Sequence, residues 1–285
     1  MASTEPSTIE KPKIGSRDKS VGWYIPTLDN LSPTQWDLLE NYGKIPHDRV
    51  IPSILELRDR AWEVYPFPCV GQFRFIELSL CDMPLYPTIL QRIQNGGVFV
   101  DVGCCFGQDI RKLVHDGAPA KNTWGVELVG DFVDLGYELF NDAATLESHM
   151  LKIGIFDAEG TLDQLTDKVD VAYLGLFLHL FDWDEQKRAC QNIVRLMKNE
   201  PGVVILGQQI GSVTGHQLPK AIGTSPIYKH DPPSFEKLWK EVGEATGTEW
   251  KVTADLDFGL GAANFKDKWG DSTTRRLVFE VERVR

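Results

Sequence analysis

The stretch "GGVFVDVGCCFGQD", residues 96–109, sets an acid, Asp101, at the end of an apolar run and follows it with glycines at 103 and 107. Glycine has no Cβ to block close approach and accepts positive φ, so such a turn lets a ligand lie against backbone. Spacing narrows the choice of ligand. A dinucleotide pyrophosphate calls for G-x-G-x-x-G, and a phosphate-cradling loop for G-x-x-x-x-G-K-[ST]. Gly103-Cys104-Cys105-Phe106-Gly107 is neither, which disfavours a dehydrogenase. What stands is D-x-G-x-x-x-G with a thiol, Cys105, between the glycines. Glu127 closes the next apolar run, "TWGVEL", 20 residues after Gly107, and its carboxylate can accept both hydroxyls of a ribose. Asp157 closes "LKIGIFD" and suits either a ligand or a helix cap. His179 follows "VDVAYLGLF" and suits a general base, a hydrogen-bond donor or a packed core histidine. Arg74 in "GQFRF" fits a bidentate carboxylate site or a structural ion pair. Gln208, Gln209 and His230 are further polar candidates, and Tyr65, Phe67 and Trp183 are candidate walls for an apolar substrate.

These residues need elements to hold them. Residues 1–20 lack an apolar periodic pattern and are expected to be unstructured. Residues 21–95 read as helices broken by prolines, one of them starting at Ser32-Pro33. From residue 96 to 285 the pattern alternates. Five short apolar strands, the third over 151–157, are separated by helical crossovers, which predicts a parallel sheet covered on both faces. Two alternating strands after the last helix, "EWKVTADLDF" and "RRLVFEVERV", predict an antiparallel pair that closes a seven-stranded α/β sheet. The Gly-, Pro- and Ser-rich insert 211–233 lacks periodicity and is long enough for a lid.

Of 285 residues, 42% are hydrophobic and the formal net charge is -11, which argues against nucleic-acid binding through phosphates. No apolar run reaches the roughly 20 residues of a membrane span, and no signal-peptide core is present. The five cysteines form no C-x-x-C pair, so reduced thiols in a cytoplasmic protein without a metal are expected. Cys104 and Cys105 read as small packing residues.

The D-x-G-x-x-x-G turn resembles the first motif of class I S-adenosylmethionine-dependent methyltransferases, which often carry glycine where this chain has Cys105. The resemblance implies a Rossmann-like sheet with a helical N-terminal cap, and S-adenosyl-L-methionine as cofactor. It implies Asp101, Gly103, Cys105 and Gly107 against the methionine part, and Glu127 with Leu128 at the ribose. Phe156 and Asp157 are implied at the adenine, and Leu174 and Gly175, with Leu176 and Phe177, at the rim. "YPFPCVGQFRFIEL", "LGLFLHLFDWDEQ" and "YKHDPPSFEKLWKEVGEATGTEWKV" are similar to fungal secondary-metabolite methyltransferases, from about residue 30 to the C-terminus. The nearest group methyl-esterifies carboxylic acids in meroterpenoid pathways. That implies a small-molecule acid as partner, with a phenol acceptor as the alternative. A non-methylating binding or cyclising protein would keep the same cofactor residues. The N-terminal helices can cap their own site or exchange within a homodimer.

Overall fold

A computed structural model describes residues 15–157, 160–222, 225–260 and 272–285. The apolar runs become β1 (Phe99–Val102), β2 (Thr123–Val126), β3 (His149–Leu151), β4 (Val171–Gly175) and β5 (Val204–Ser212), all parallel to one another. The last two, β8 (Trp250–Asp257) and β9 (Thr274–Arg283), pair antiparallel, and β9 pairs antiparallel with β5. The order is β3-β2-β1-β4-β5-β9-β8, so the sheet reverses direction of growth between β1 and β4. That reversal leaves a crevice at the strands' C-terminal ends.

Alternation along each strand sorts the core into layers. Val100, Val102, Ala172, Leu174 and Ile205 face α7 (Trp183–Leu196) and α8 (Pro232–Thr246). Phe99, Val171, Tyr173, Val204 and Leu206 face α4 (Tyr86–Gln94) and α5 (Gln108–His115). Asp182 caps α7 by accepting from Glu185 N–H, and Asp231 with Ser234 forms a capping box on α8. The N-terminal helices, α1 (Pro33–Asp37, capped by Ser32), α2 (His47–Val64) and α3 (Pro68–Gly71), pack with α6 (Gly130–Phe140) around Phe106 and Phe132. The N-terminal helices thus pack on α6 and on the turn before α5.

Three expectations change. The third strand is His149–Leu151 and shares only Leu151 with the expected 151–157, because β2 ends at Val126 and Glu127 N–H makes the last ladder bond, to the Leu151 carbonyl. Among the described residues no strand pairs with residues 152–157. The aperiodic insert is a hairpin, β6 (His216–Ile222) with β7 (Ser225–Lys229), and a register shift between Leu218 and Ile222 breaks its alternation. Of the run expected to be unstructured, residues 1–14 lie outside the described residues. Residues 15–20 lie on α2, where Arg17 donates to the Glu63 carbonyl and Trp62 Nε1 donates to the Arg17 carbonyl.

Candidate active site

A cavity of about 790 Å³ opens over the C-terminal ends of β1, β2, β4 and β5. That volume suits a small-molecule site. Residues 67–79 wall one side and the β6–β7 hairpin another.

At the turn, Gly103 has φ +78, and a Cβ there would stand 2.8 Å from Cδ2 of Phe177. Cys105 also takes a left-handed φ, +51, which is strained for a residue with a side chain. Its N–H donates to Glu127 Oε2 at 3.0 Å, and Val129 N–H donates to Oε1 at 2.8 Å. Each oxygen keeps a further lone pair for a ligand hydroxyl. Burial raises the Glu127 carboxyl above its usual range. Leu128 beside it is 69% exposed and lines the cavity with Ile153, Gly154 and Phe156. These apolar groups can flank a flat ring.

Asp101 is 2% exposed, lines the cavity, and meets no hydrogen-bond donor among the described residues. Burial, with Asp109 and Glu127 nearby, holds its carboxyl well above the ordinary range. Asp109, in the first turn of α5, accepts from Leu80 N–H at 3.0 Å, and burial pushes its carboxyl up to about 7. Gln108 Oε1, of a lining residue, is buried without a hydrogen-bond partner among the described residues, and the Tyr173 hydroxyl is buried beside the polar side chain of Ser79. A buried polar atom left without a partner is expensive, and a polar ligand would satisfy it. This end of the cavity therefore suits a cation that also carries hydrogen-bonding groups. The ammonium and sulfonium of S-adenosylmethionine fit it.

The other end differs. His179 follows β4, and its Nδ1 is sealed without a hydrogen-bond partner among the described residues, which leaves Nε2 toward the cavity. Burial pushes its imidazole down to about 3, and the charges of Lys229 and Arg74 act in the same direction. An orphaned buried N–H is rarer than an orphaned acceptor, so the tautomer carries its proton on Nε2. Lys229, at the end of β7, lines the cavity and donates to Thr274 Oγ1 at 2.7 Å. Arg74 lines it too, but its guanidinium holds Glu77, Gln72 and the Leu260 carbonyl. It is the structural ion pair that the sequence left open. Phe67, Gly175, Leu176, Phe177 and Gln208 also line the cavity.

Several expected residues lie elsewhere. Gly107 caps α5 at φ +68, and its missing Cβ makes room for Met150 and Arg111. Asp157 is exposed, and its carboxylate folds back onto Gly154. Leu174 and Gln209 sit one residue out of phase with the lining Gly175 and Gln208, so alternation turns them to the α7–α8 side. Trp183 packs on Tyr228 and His230 and donates to Glu241. His230 is buried between Ser234 Oγ and Gln186 Oε1. Tyr65 stands behind Phe67, with ring centroids 4.1 Å apart. Asp109, Tyr173 and Lys229 were missed. The first two share the cavity face with Asp101, which pairs with Tyr173 in register. Lys229 carried no sequence signal, because the hairpin places it.

Known methyltransferases resemble this chain in sequence and in fold. The meroterpenoid methyltransferase N-terminal domain matches at residues 23–76 and a methyltransferase domain at residues 100–205. The chain is 43% identical over 277 residues to the O-methyltransferase atr3 of Stereocaulon alpinum, covering 96% of this chain and 79% of that protein. It is 36% identical over 242 residues to the asnovolin E/chermesin D methyltransferase nvfJ of Aspergillus novofumigatus, covering 82% and 87%. A solved 1,6-didemethyltoxoflavin-N1-methyltransferase of Burkholderia thailandensis has the same fold at TM-score 0.50 and 14% identity, covering 91% of this chain and 94% of that one.

Proposed function

Because the chain belongs to the S-adenosylmethionine-dependent methyltransferases, in the fungal secondary-metabolite group of its relatives, we propose that it methyl-esterifies a carboxylic acid of a polyketide-terpenoid intermediate. The observation that carries this reading is His179. An imidazole held near 3 is a poor base at neutral pH, and it stands among cationic side chains. Such a site receives an anion better than it removes a proton. A phenol with a pKa near 10 needs help to ionise, whereas a carboxylic acid is already ionised at neutral pH.

In this reading the cofactor residues are Asp101, Gly103, Cys105, Glu127, Leu128, Phe156 and Gly175, with Asp109, Gln108 and Tyr173 around the methionine end. Bound S-adenosylmethionine supplies an electrophilic sulfonium methyl. His179 donates through Nε2 to one acceptor oxygen and Lys229 offers its ammonium to the carboxylate. Residues 21–95 act as a cap, and with the hairpin they keep water out through Phe67, Phe75, Leu218 and Ile227. Holding the reactants in line supplies up to ~7–11 kcal/mol of the barrier lowering.

Incubation with methyl-labelled S-adenosylmethionine and a mixture of aryl acids and phenols identifies the acceptor by mass spectrometry. With the cofactor saturating, the rate is then expected to stay flat from pH 6 to 8.5, and His179→Gln to keep activity within about tenfold, since glutamine also donates. A rate that rises with pH through a histidine-like value, with a loss of ~10²–10⁴-fold in the variant, would mark a phenol acceptor and a basic His179.

A further inference from the structure

We infer that Arg111 positions the cofactor turn from behind, and that Tyr42 of the N-terminal region reaches the cofactor through it. This rests on the placement of S-adenosylmethionine at the turn proposed above and holds for any acceptor.

The turn takes positive φ at Gly103, Cys105 and Gly107: +78, +51 and +68. Backbone of this kind persists only where its surroundings over-determine it. Toward β2, Gly103 N–H donates to the Val126 carbonyl at 2.8 Å and Cys105 N–H to Glu127 Oε2 at 3.0 Å. Behind the turn stands Arg111, wholly buried in α5. Its Nη1 donates to the Phe106 carbonyl at 2.6 Å and to the Gly107 carbonyl at 3.3 Å. The Phe106 carbonyl is confined from α6 as well, since a Cβ on Gly136 would stand 2.3 Å from its oxygen.

The rest of the guanidinium goes to Asp142, just past α6. Nε donates to Oδ2 at 2.7 Å and Nη2 to Oδ1 at 2.9 Å. A two-pronged contact fixes the guanidinium plane, and so where Nη1 points. Asp142 is held in turn by the N-terminal region. Tyr42, which closes the wide helical turn Leu38–Tyr42 after α1, donates its hydroxyl to Oδ2 at 2.8 Å. Next to Asp142, Asn141 Nδ2 donates to the Gly43 carbonyl at 2.9 Å. A buried ion pair is a weak source of stability, because desolvation offsets the attraction. This one sets the place of two turn carbonyls, although Tyr42, Asp142 and Arg111 do not line the cavity. Arg111 is therefore a positioning residue, and Tyr42 acts through it.

Arg111→Lys keeps the charge but not the fork, so Asp142 and the two carbonyls can no longer be held together. The probe is S-adenosylhomocysteine, titrated by calorimetry well below each variant's melting temperature. Arg111→Lys is expected to raise its dissociation constant about tenfold or more. Tyr42→Phe keeps the ring contacts with His115 and Phe140 and removes only the hydroxyl, and a rise of about threefold is expected. The double variant is expected to bind no worse than Arg111→Lys, because both changes act along one path, whereas independent effects would multiply. Should Arg111→Lys fail to fold, Tyr42→Phe decides alone. Val242→Ala, in the helix that contacts β8 at the sheet's far edge, lowers stability without touching this network. It is expected to leave the affinity within about twofold, and an equal loss there would overturn a specific role for Arg111. Gly103→Ala alters the turn itself. If it leaves the affinity unchanged, the cofactor placement fails and the role of Arg111 with it. If it weakens binding while folded Arg111→Lys does not, only the role of Arg111 is overturned. An effect of Arg111→Lys without one of Tyr42→Phe overturns the route from the N-terminal region.

Discussion

At Glu127 each carboxylate oxygen already holds a backbone amide, Cys105 on one side and Val129 on the other. The residue therefore shapes the turn as well as facing the ligand. Glu127→Ala is expected to weaken cofactor binding by on the order of 1.5–3 kcal/mol, the worth of hydrogen bonds to a charged group. It is also expected to lower the melting temperature, because two amides lose their acceptor. Calorimetry and a thermal melt separate the effects, and unchanged cofactor affinity in a folded variant would remove Glu127 from the ribose. Cys105 sits at φ +51, where a side chain costs about 1–2 kcal/mol and a β-branched one more. Cys105→Gly is expected to be at least as stable as wild type and Cys105→Val clearly less stable; denaturant titration showing the reverse order would mean that thiol packing outweighs backbone strain. Asp101, Gly103 and Glu127 were legible because a strand end followed by a glycine turn fixes where they stand. Gly107 and Asp157 satisfied the same spacing yet face away. Spacing does not reveal that Met150 and Arg111 need the volume beside Gly107, or that β2 is too short to keep Asp157 on a ladder.

Elements decide the acceptor end. The strands, their order of appearance and the antiparallel close could be read from apolar runs and alternation, as could helix starts such as Ser32-Pro33. Phase was not legible. Gln208 and Gln209 are equivalent as letters, and only the pairing of β5 with β4 and β9 shows which faces the cavity. The hairpin was hidden for a related reason, since its bulge spoils the alternation that marks a strand. Yet it brings Leu218 and Ile227, directly opposite each other, together with Lys229 over the cavity. Leu218→Ala should therefore raise KM for the acceptor while leaving the cofactor dissociation constant within about twofold, because the truncated side chain offers its apolar surface to the acceptor and not to the cofactor. Equal weakening of both ligands would show that the hairpin organises the whole cavity and does not merely cover one end.

Across the molecule, the cavity has two electrical poles. Near the turn stand Asp101, Asp109 and Glu127, all with carboxyls raised by burial. Near the hairpin stand Lys229, the Arg74–Glu77 pair and a neutral imidazole. A carboxyl raised from 3.8 to about 7, as at Asp109, means that the folded protein holds a proton which the unfolded chain has released over that interval. Its contribution to stability is full below the unfolded value and is lost as pH rises through about 7. His179 and His230, each pushed by burial down to about 3, stay neutral in the folded protein, so their contribution is full above the ordinary imidazole value of 6.5 and is lost as pH falls from there toward about 3. A cation placed beside the acidic pole favours the ionised carboxyls, so binding it must expel protons. S-adenosylmethionine binding is thus expected to release protons at pH 7 and to tighten as pH rises from 6 to 8. S-adenosylhomocysteine, which lacks the sulfonium charge, should release fewer. Asp109→Asn should remove much of the release while still accepting from Leu80 N–H, so the fold has no reason to fail. Calorimetry at one pH in two buffers of different ionisation enthalpy reads the proton count directly. Equal heats in the two buffers would mean that the acidic pole is already ionised before the cofactor arrives, and that its burial does not tune the site.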